Sequence, residues 1–216
     1  ARPELEGLQS DLDIGFAVTG RSNLHMVLLA LYGRAVPLID SFQLGLRLPN
    51  TAPVAACFTA FSPARHLEAW LSRAHESRGG YNEKLDQKLR VSVIAIRARG
   101  YEVTLKTRAE AELTRELGRI HNAWSLTELE EAANQYQRDL CDEHYHLDRI
   151  DPRARYDVST ISVPVFASRD VPVMCFVAGS FDHAVSGAQI EEIAARMQAS
   201  AERVTEMARR GHQAGD

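Results

Sequence analysis

Residues 156–179 have the sequence YDVSTISVPVFASRDVPVMCFVAG, and this stretch decides the fold. Two apolar segments rich in β-branched residues flank a short polar connection at 168–170. Such a pair of segments predicts an antiparallel hairpin. Pro164 and Pro172 have no backbone N–H, so each must lie where the sheet loses no hydrogen bond.

Further strands are predicted upstream of this hairpin. Residues 23–40 form two apolar runs broken at Gly33 and Arg34, residues 43–49 alternate, and residues 101–105 alternate like a half-buried strand. Strands joined by short hairpins cannot all be parallel. The sequence therefore predicts an α+β fold, with a curved and mostly antiparallel sheet flanked by helices.

Capping patterns mark the helices between and after these strands. Thr107 with Glu110 and Ser125 with Glu128 match capping boxes, as does Ser186 with Gln189. The first two predict successive helices inserted within residues 107–150, and the third predicts a long final helix. Gly100 is placed to cap the helix that precedes residues 101–105.

Composition excludes several classes of protein. The net charge is −4 and no long run of Lys or Arg is present, which argues against direct nucleic-acid binding by this segment. The three cysteines are far apart and form no Cys-x-x-Cys pair, a usage typical of a reducing compartment. No apolar run reaches the length of a membrane span, and the first residues lack signal-peptide features. We therefore expect a cytoplasmic location and no membrane partner.

An ordered set of segments resembles one known family. Four segments follow the order seen in the effector-binding domain of IclR-family transcriptional regulators. They are residues 23–42, the LGLRLP segment at 44–49, Arg-x-Arg-Gly-Tyr at 97–101 and ISVPVF at 161–166. The resemblance implies a GAF/profilin-like domain over residues 1–216, with a ligand pocket on one face of the sheet. The helices predicted within 107–150 replace a short loop of the family, and we expect them to form a lid or an oligomer surface.

The resemblance also implies partners. Family members carry an upstream winged helix-turn-helix domain, which we expect to be absent from this chain, so DNA would be bound only through that absent domain. They generally assemble as dimers or tetramers, and the same is expected here. Their ligand is a small organic effector.

The expected ligand-binding residues lie mainly on the two hairpin strands. Because side chains alternate along a strand, Met174, Phe176 and Ala178 share one face, and the family's ligand contacts match Phe176 and Ala178. We combine these with one face of the preceding strand and with an arginine suited to a carboxylate, giving the set Thr160, Ser162, Pro164, Met174, Phe176, Ala178 and Arg47. This mostly apolar set predicts an apolar or aromatic effector. The alternative that Met174 and Phe176 fill the core remains open.

Catalytic and metal motifs are weak. Cys141, His144 and His146 include metal-binding residue types, but no second paired motif completes a coordination sphere. No phosphate loop, Gly-x-Ser-x-Gly or His-Glu-x-x-His motif occurs. We therefore expect no metal, no cofactor and no enzymatic activity. The alternatives are a metal-assisted enzyme that uses the inserted helices as a lid, and a stand-alone ligand-binding module.

Overall fold

The computed structural model describes residues 2–22, 24–34, 44–45, 47–119, 126–167 and 171–213. Within them, a curled six-stranded sheet has the order β3-β2-β1-β7-β6-β4, and every pairing between neighbours is antiparallel. The strands of the main sheet are β1 (Gly15–Ser22), β2 (His25–Tyr32), β3 (Arg47–Pro49), β4 (Glu102–Leu105), β6 (Val158–Phe166) and β7 (Pro172–Gly179). Two short strands, β5 (Arg155–Tyr156) and β8 (Val185–Ser186), pair separately.

The hairpin predicted over 156–179 is confirmed as the antiparallel pair β6–β7. Its prolines lie where the sheet tolerates them. Pro172 is the first residue of β7, and β4 pairs with β6 only between Val158 and Ser162, which leaves the β4 side of Pro164 without a partner strand. The predicted α+β class with a mostly antiparallel sheet is confirmed as well.

The described helices pack on both faces of the sheet. They are α1 (Arg2–Leu12), α2 (Ala56–Ala60), α3 (Ala64–Ser77), α4 (Glu83–Arg99), α5 (Arg108–Arg119), α6 (Leu126–Leu140) and α7 (Gly187–Gln213). Gly100 caps α4 with a φ of 88°, a left-handed conformation that favours glycine. Ser186 and Gln189 form the predicted capping box of α7, and Thr107 Oγ1 accepts from the Glu110 amide at 3.1 Å. Ser125 of the remaining predicted box lies outside the described residues.

Two core layers follow from strand alternation. On one face, Phe16, Val163 and Phe176 pack against α1 and α7. On the other face, Ala17 and Val177 pack against α2, α5 and α6. A third cluster packs α3 and α4 outside α2, and within it Trp70 donates to the Val54 carbonyl oxygen at 2.8 Å.

Residues 107–150 contain α5 and α6, in agreement with the helices predicted there. The chain then returns along β4: Leu105 N donates to the Tyr145 oxygen at 2.8 Å, and Leu147 N donates to the Val103 oxygen at 3.0 Å. This extra backbone pairing protects the edge of the sheet at β4.

Among the described helices, none combines the length and the apolar character of a membrane span.

Candidate ligand-binding cavity

A cavity of about 100 Å³ lies between the sheet and the helices α2 and α6. Its wall is mostly apolar, with several hydroxyl groups, two thiols and a single carboxylate among the described residues. The lining residues are Thr19, Met26, Leu28, Leu48, Val54, Ala55, Cys57, Phe58, Glu102, Thr104, Tyr136, Tyr145, Thr160, Ser162, Cys175 and Val177.

The floor of the cavity is built by β4, β6 and β7. Ser162 pairs with Val177 on one side and with Glu102 on the other, and directly paired residues share a face of the sheet. Beside them, the Thr104 and Thr160 hydroxyl oxygens are 2.7 Å apart, and the Thr160 amide donates to Thr104 Oγ1 at 3.1 Å. These bonds leave the two threonines fixed in the floor.

Glu102 brings a buried carboxylate to the cavity wall, with 4% of the residue exposed. The Cys57 amide donates to Oε2 at 3.0 Å, and His146 Nε2 hydrogen-bonds Oε1 at 3.0 Å. Burying a carboxylate is costly unless such partners compensate it. Each oxygen retains acceptor capacity, because a carboxylate offers about four lone-pair sites.

Two tyrosines face the floor from the 107–150 segment. Burial raises the pKa of the Tyr136 hydroxyl well above its usual value, and the negative charges of Glu110 and Glu143 add to this effect. Burial likewise raises the pKa of Tyr145. Both hydroxyls therefore remain protonated and can donate hydrogen bonds.

The two cavity thiols, Cys57 and Cys175, are unpaired and buried. Burial raises the pKa of Cys57 well above its ordinary value, and the neighbouring Cys175 adds to this effect. A thiol that stays protonated is a poor nucleophile. Cys57 therefore contributes apolar surface to the wall.

Thr19 contributes to the wall a buried hydroxyl that lacks a partner among the described residues. Its residue is 6% exposed, and Oγ1 has no hydrogen-bond partner among the described residues. A buried hydroxyl without a partner costs free energy. A ligand that bonds this oxygen would remove that cost.

The structure brings only part of the predicted ligand set to the cavity. Thr160 and Ser162 line it, whereas Pro164 is buried on the same strand outside the lining. Arg47 is exposed on the edge strand β3, and its neighbour Leu48 lines the cavity in its place. Arg47 therefore lies outside the lining of this cavity, and its part in ligand binding stays a prediction.

The predicted ligand face of β7 also lies outside this cavity. Phe176 and Ala178 are fully buried in the core layer beneath α7, and Met174 packs against that layer. Their register partners on β6 are Val163, Ile161 and Val165, which also face α7. The cavity side of β7 is formed by Cys175 and Val177.

The three weak metal candidates, Cys141, His144 and His146, do not come together in one site. The Cys141 thiol contacts the carbonyl oxygens of Gln137 and Ala52 at 3.4 and 3.7 Å, and burial raises its pKa to about 11. His146 pairs with Glu102, while His144 is exposed. In the part of the chain that the structure describes, no group of three His, Cys, Asp or Glu residues is arranged to hold a metal ion.

Glu102, Thr19, Tyr136 and Tyr145 were not anticipated as cavity residues. Glu102 alternates with Val103 on β4, and a charged residue in that pattern predicts a solvent-facing side chain. The only sequence signal was that Glu102 and Thr104 share a face. The return of the chain at 145–147 turns that face into a cavity wall.

The fold is shared with transcriptional regulators of the IclR family, which confirms the resemblance at the level of fold. No family model matches the sequence, and no curated protein matches it. IclR of Thermotoga maritima is similar over 96% of this chain and 66% of its own, with a TM-score of 0.59 and 15% identity. An IclR-family regulator from Rhodococcus is similar over 97% of this chain and 63% of its own, with a TM-score of 0.57 and 16% identity.

The repressor BlcR of Agobacterium tumefaciens is a third structural relative. The similarity covers 96% of this chain and 64% of the BlcR chain, with a TM-score of 0.55 and 13% identity. This chain thus spans about two thirds or less of the length of these regulators. At such identities the likeness establishes the fold alone.

Proposed function

We propose that this chain is the effector-sensing part of a transcriptional regulator. The observation that carries the proposal is the cavity between the sheet and the 107–150 segment, with the buried Glu102 carboxylate and the unpartnered Thr19 hydroxyl in its wall. Ligand binding changes the arrangement of subunits in a homodimer or tetramer, because the ligand prefers one arrangement. DNA is then bound or released by a domain outside this chain.

The charge of the cavity wall favours an uncharged or cationic ligand. Glu102 is the carboxylate of the lining, and no Lys or Arg of the described residues joins it there. Arg99 lies near this charge, but its guanidinium donates to the carbonyl oxygens of Tyr101 and Leu147. A second negative charge at about 4 Å from Glu102 would cost roughly 4 kcal/mol in a protein-like dielectric. The effector is therefore an apolar alcohol, amine or similar hydrogen-bond donor rather than a carboxylate.

The size of the cavity limits the ligand further. An apolar cavity of about 150 Å³ is known to hold benzene. The cavity of about 100 Å³ is smaller, so it takes a compact ligand unless its wall moves. Tyr136 on α6 is a wall residue from the 107–150 segment, and its displacement would make room for a larger ligand. Such a displacement moves α6, which provides a route from ligand to subunit arrangement.

A thermal-shift screen tests the ligand class. Small aliphatic and aromatic alcohols, amines and carboxylates are compared at equal concentration, since a ligand that binds the native state raises its apparent stability. We expect alcohols or amines to raise the melting temperature and the matched carboxylates to leave it unchanged. A shift produced by carboxylates alone would contradict the proposed chemistry.

The regulatory part of the proposal needs the complete protein encoded by the gene. Its affinity for the DNA upstream of that gene is measured with and without the ligand from the screen. A ligand-dependent change in affinity supports the regulator. Tight ligand binding with no DNA binding at all would instead support the second candidate, a stand-alone ligand-binding module, which the same cavity also serves.

A further inference from the structure

A second concave region lies beside the cavity and has the opposite charge. This open groove, of about 630 Å³, is formed where β1 ends, where β7 begins, and along α3. Arg21 follows Thr19 by two positions on β1, and Val173 precedes Cys175 by two positions on β7, so the groove is displaced from the cavity by about 7 Å along the strands. We call it the Arg21–Arg73 groove.

Two arginines of the groove are held by neutral acceptors. Arg21 Nη1 donates to Ser62 Oγ at 2.8 Å, while Arg73 donates through Nε and Nη2 to the Asn50 carbonyl oxygen at 3.1 and 2.6 Å. Neither arginine forms a salt bridge with a described residue, and no described Asp or Glu lines the groove. Both guanidinium groups are thus positioned without a salt bridge to a described residue, and the charge of Glu76 on α3 acts on Arg73.

His66 lies among these positive charges. Burial lowers the pKa of its imidazole, and the charges of Arg21, Arg65 and Arg73 lower it further. Burial also lowers the pKa of Arg73. A site that gathers positive groups and has no described carboxylate in its lining is stabilised by an anion.

Two buried polar atoms of the groove lack partners. His66 Nδ1 and Asn50 Oδ1 are both shielded from solvent, and neither has a hydrogen-bond partner among the described residues. Asn50 is 7% exposed. Since the oxygen and nitrogen of an asparagine amide are assigned by their surroundings, this group can equally present an N–H to the groove. Buried polar atoms without partners are uncommon, and a bound ligand would supply the missing bonds.

We propose that the Arg21–Arg73 groove binds the oxyanion of a small molecule, either a phosphate or a carboxylate group. Arg21 and Arg73 supply charge-assisted hydrogen bonds, and His66 and Asn50 supply additional contacts. Leu24 and Val173, which are 56% and 41% exposed at the rim, receive the less polar part of the molecule. This site does not depend on the proposed function of the cavity, whose wall disfavours anions.

Calorimetric titration at constant ionic strength tests the groove. Inorganic phosphate and acetate are titrated separately, which distinguishes the two oxyanions, into the wild-type chain and into the Arg21→Gln and Arg73→Gln variants. We expect one of the two anions to bind with a dissociation constant of about 1 mM or tighter and each variant to weaken it about tenfold. Arg115→Gln, an equal charge change at an exposed position on α5, is the matched control and is expected to bind as the wild type does.

A second measurement covers the case in which Arg73→Gln disturbs the fold by releasing the Asn50 carbonyl. The imidazole NMR signals of the wild type are followed during the titration. Signals of His66 are expected to move saturably, whereas those of His144, which is exposed, stay in place. The proposal is overturned if neither anion saturates, if Arg115→Gln weakens binding as much as the groove variants do, or if both histidines respond alike.

Discussion

Glu102 Oε1 and His146 Nε2 lie 3.0 Å apart in the interior, where this pair joins the first residue of β4 to the chain that returns from α6. The other carboxylate oxygen accepts from the amide of Cys57 on α2. One side chain therefore connects three parts of the cavity wall. Its charge and its bonds lead to the first prediction.

Glu102→Gln is expected to lower the free energy of unfolding by about 1 to 3 kcal/mol, because the amide has one acceptor oxygen in place of the two that bind the Cys57 amide and His146. Urea denaturation measures this loss. The same variant should bind carboxylate analogues of the effector better than the wild type does, since the opposing charge is gone. Glu116→Gln, at an exposed position on α5, controls for the change in net charge. An equal loss of stability in this control would contradict the structural role of Glu102.

Removal of the Thr19 hydroxyl is expected to have the opposite effect on stability. Thr19→Val removes an unpartnered buried hydroxyl with little change in shape, so stability should stay unchanged or rise by about 1 kcal/mol. Thr104→Val removes a hydroxyl that bonds Thr160 and should cost about 1 kcal/mol. Thermal and urea unfolding compare the pair. If both variants lost equal stability, Thr19 would have a partner in the folded protein.

The cavity face of β7, formed by Cys175 and Val177, is tested by filling the cavity. Val177→Phe should abolish the melting-temperature shift caused by the effector, because the new ring occupies the cavity. Val91→Phe, the same change at a position 53% exposed on α4, should retain the shift. Phe176→Ala should cost about 3 to 5 kcal/mol through the core beneath α7. A ligand shift that survives Val177→Phe would place the binding site elsewhere.

The buried carboxyl of Glu110 is expected to make the folding stability depend on pH. Burial raises the pKa of its carboxyl, while Ser159 and Lys106 oppose the rise, and one of its oxygens is buried without a partner. A raised folded-state pKa means that the folded chain holds the proton more tightly, so this group favours folding at low pH. That contribution is lost as the pH rises from the unfolded value of about 4.3 through the folded pKa.

Glu110→Gln is therefore expected to be more stable than the wild type at pH 7, with the difference shrinking as the pH falls towards 4. Urea denaturation across this range measures the difference, with Glu116→Gln as the control variant. A difference that stays constant with pH would show that the carboxyl titrates alike in both states.

Local patterns predicted the elements well. The hairpin over 156–179 follows from its apolar runs and polar turn, and Gly100, Ser186 and Gln189 mark helix ends through bonds to nearby backbone. Such signals depend on residues a few positions apart. They hold whatever packs around them.

The residues of the cavity wall could not be predicted from local patterns, because they depend on strand pairing and on contacts between distant parts of the chain. Alternation fixes which residues of β7 share a face, but the pairing with β6 decides which face that is. This register includes an irregularity between Val165 and Phe166, at the end of β6. A one-residue change in register exchanges the two faces. Glu102 was missed for a related reason, since the chain that covers it lies more than forty positions away in sequence.

The two tyrosines of the wall are anchored differently. The backbone of Tyr145 is paired with β4, whereas Tyr136 belongs to α6 and meets the cavity through its side chain. Substitutions along α6 can therefore reshape the wall while the sheet beneath stays the same. Under the proposed function, changes in one helix would therefore alter selectivity for the ligand without changing the sheet.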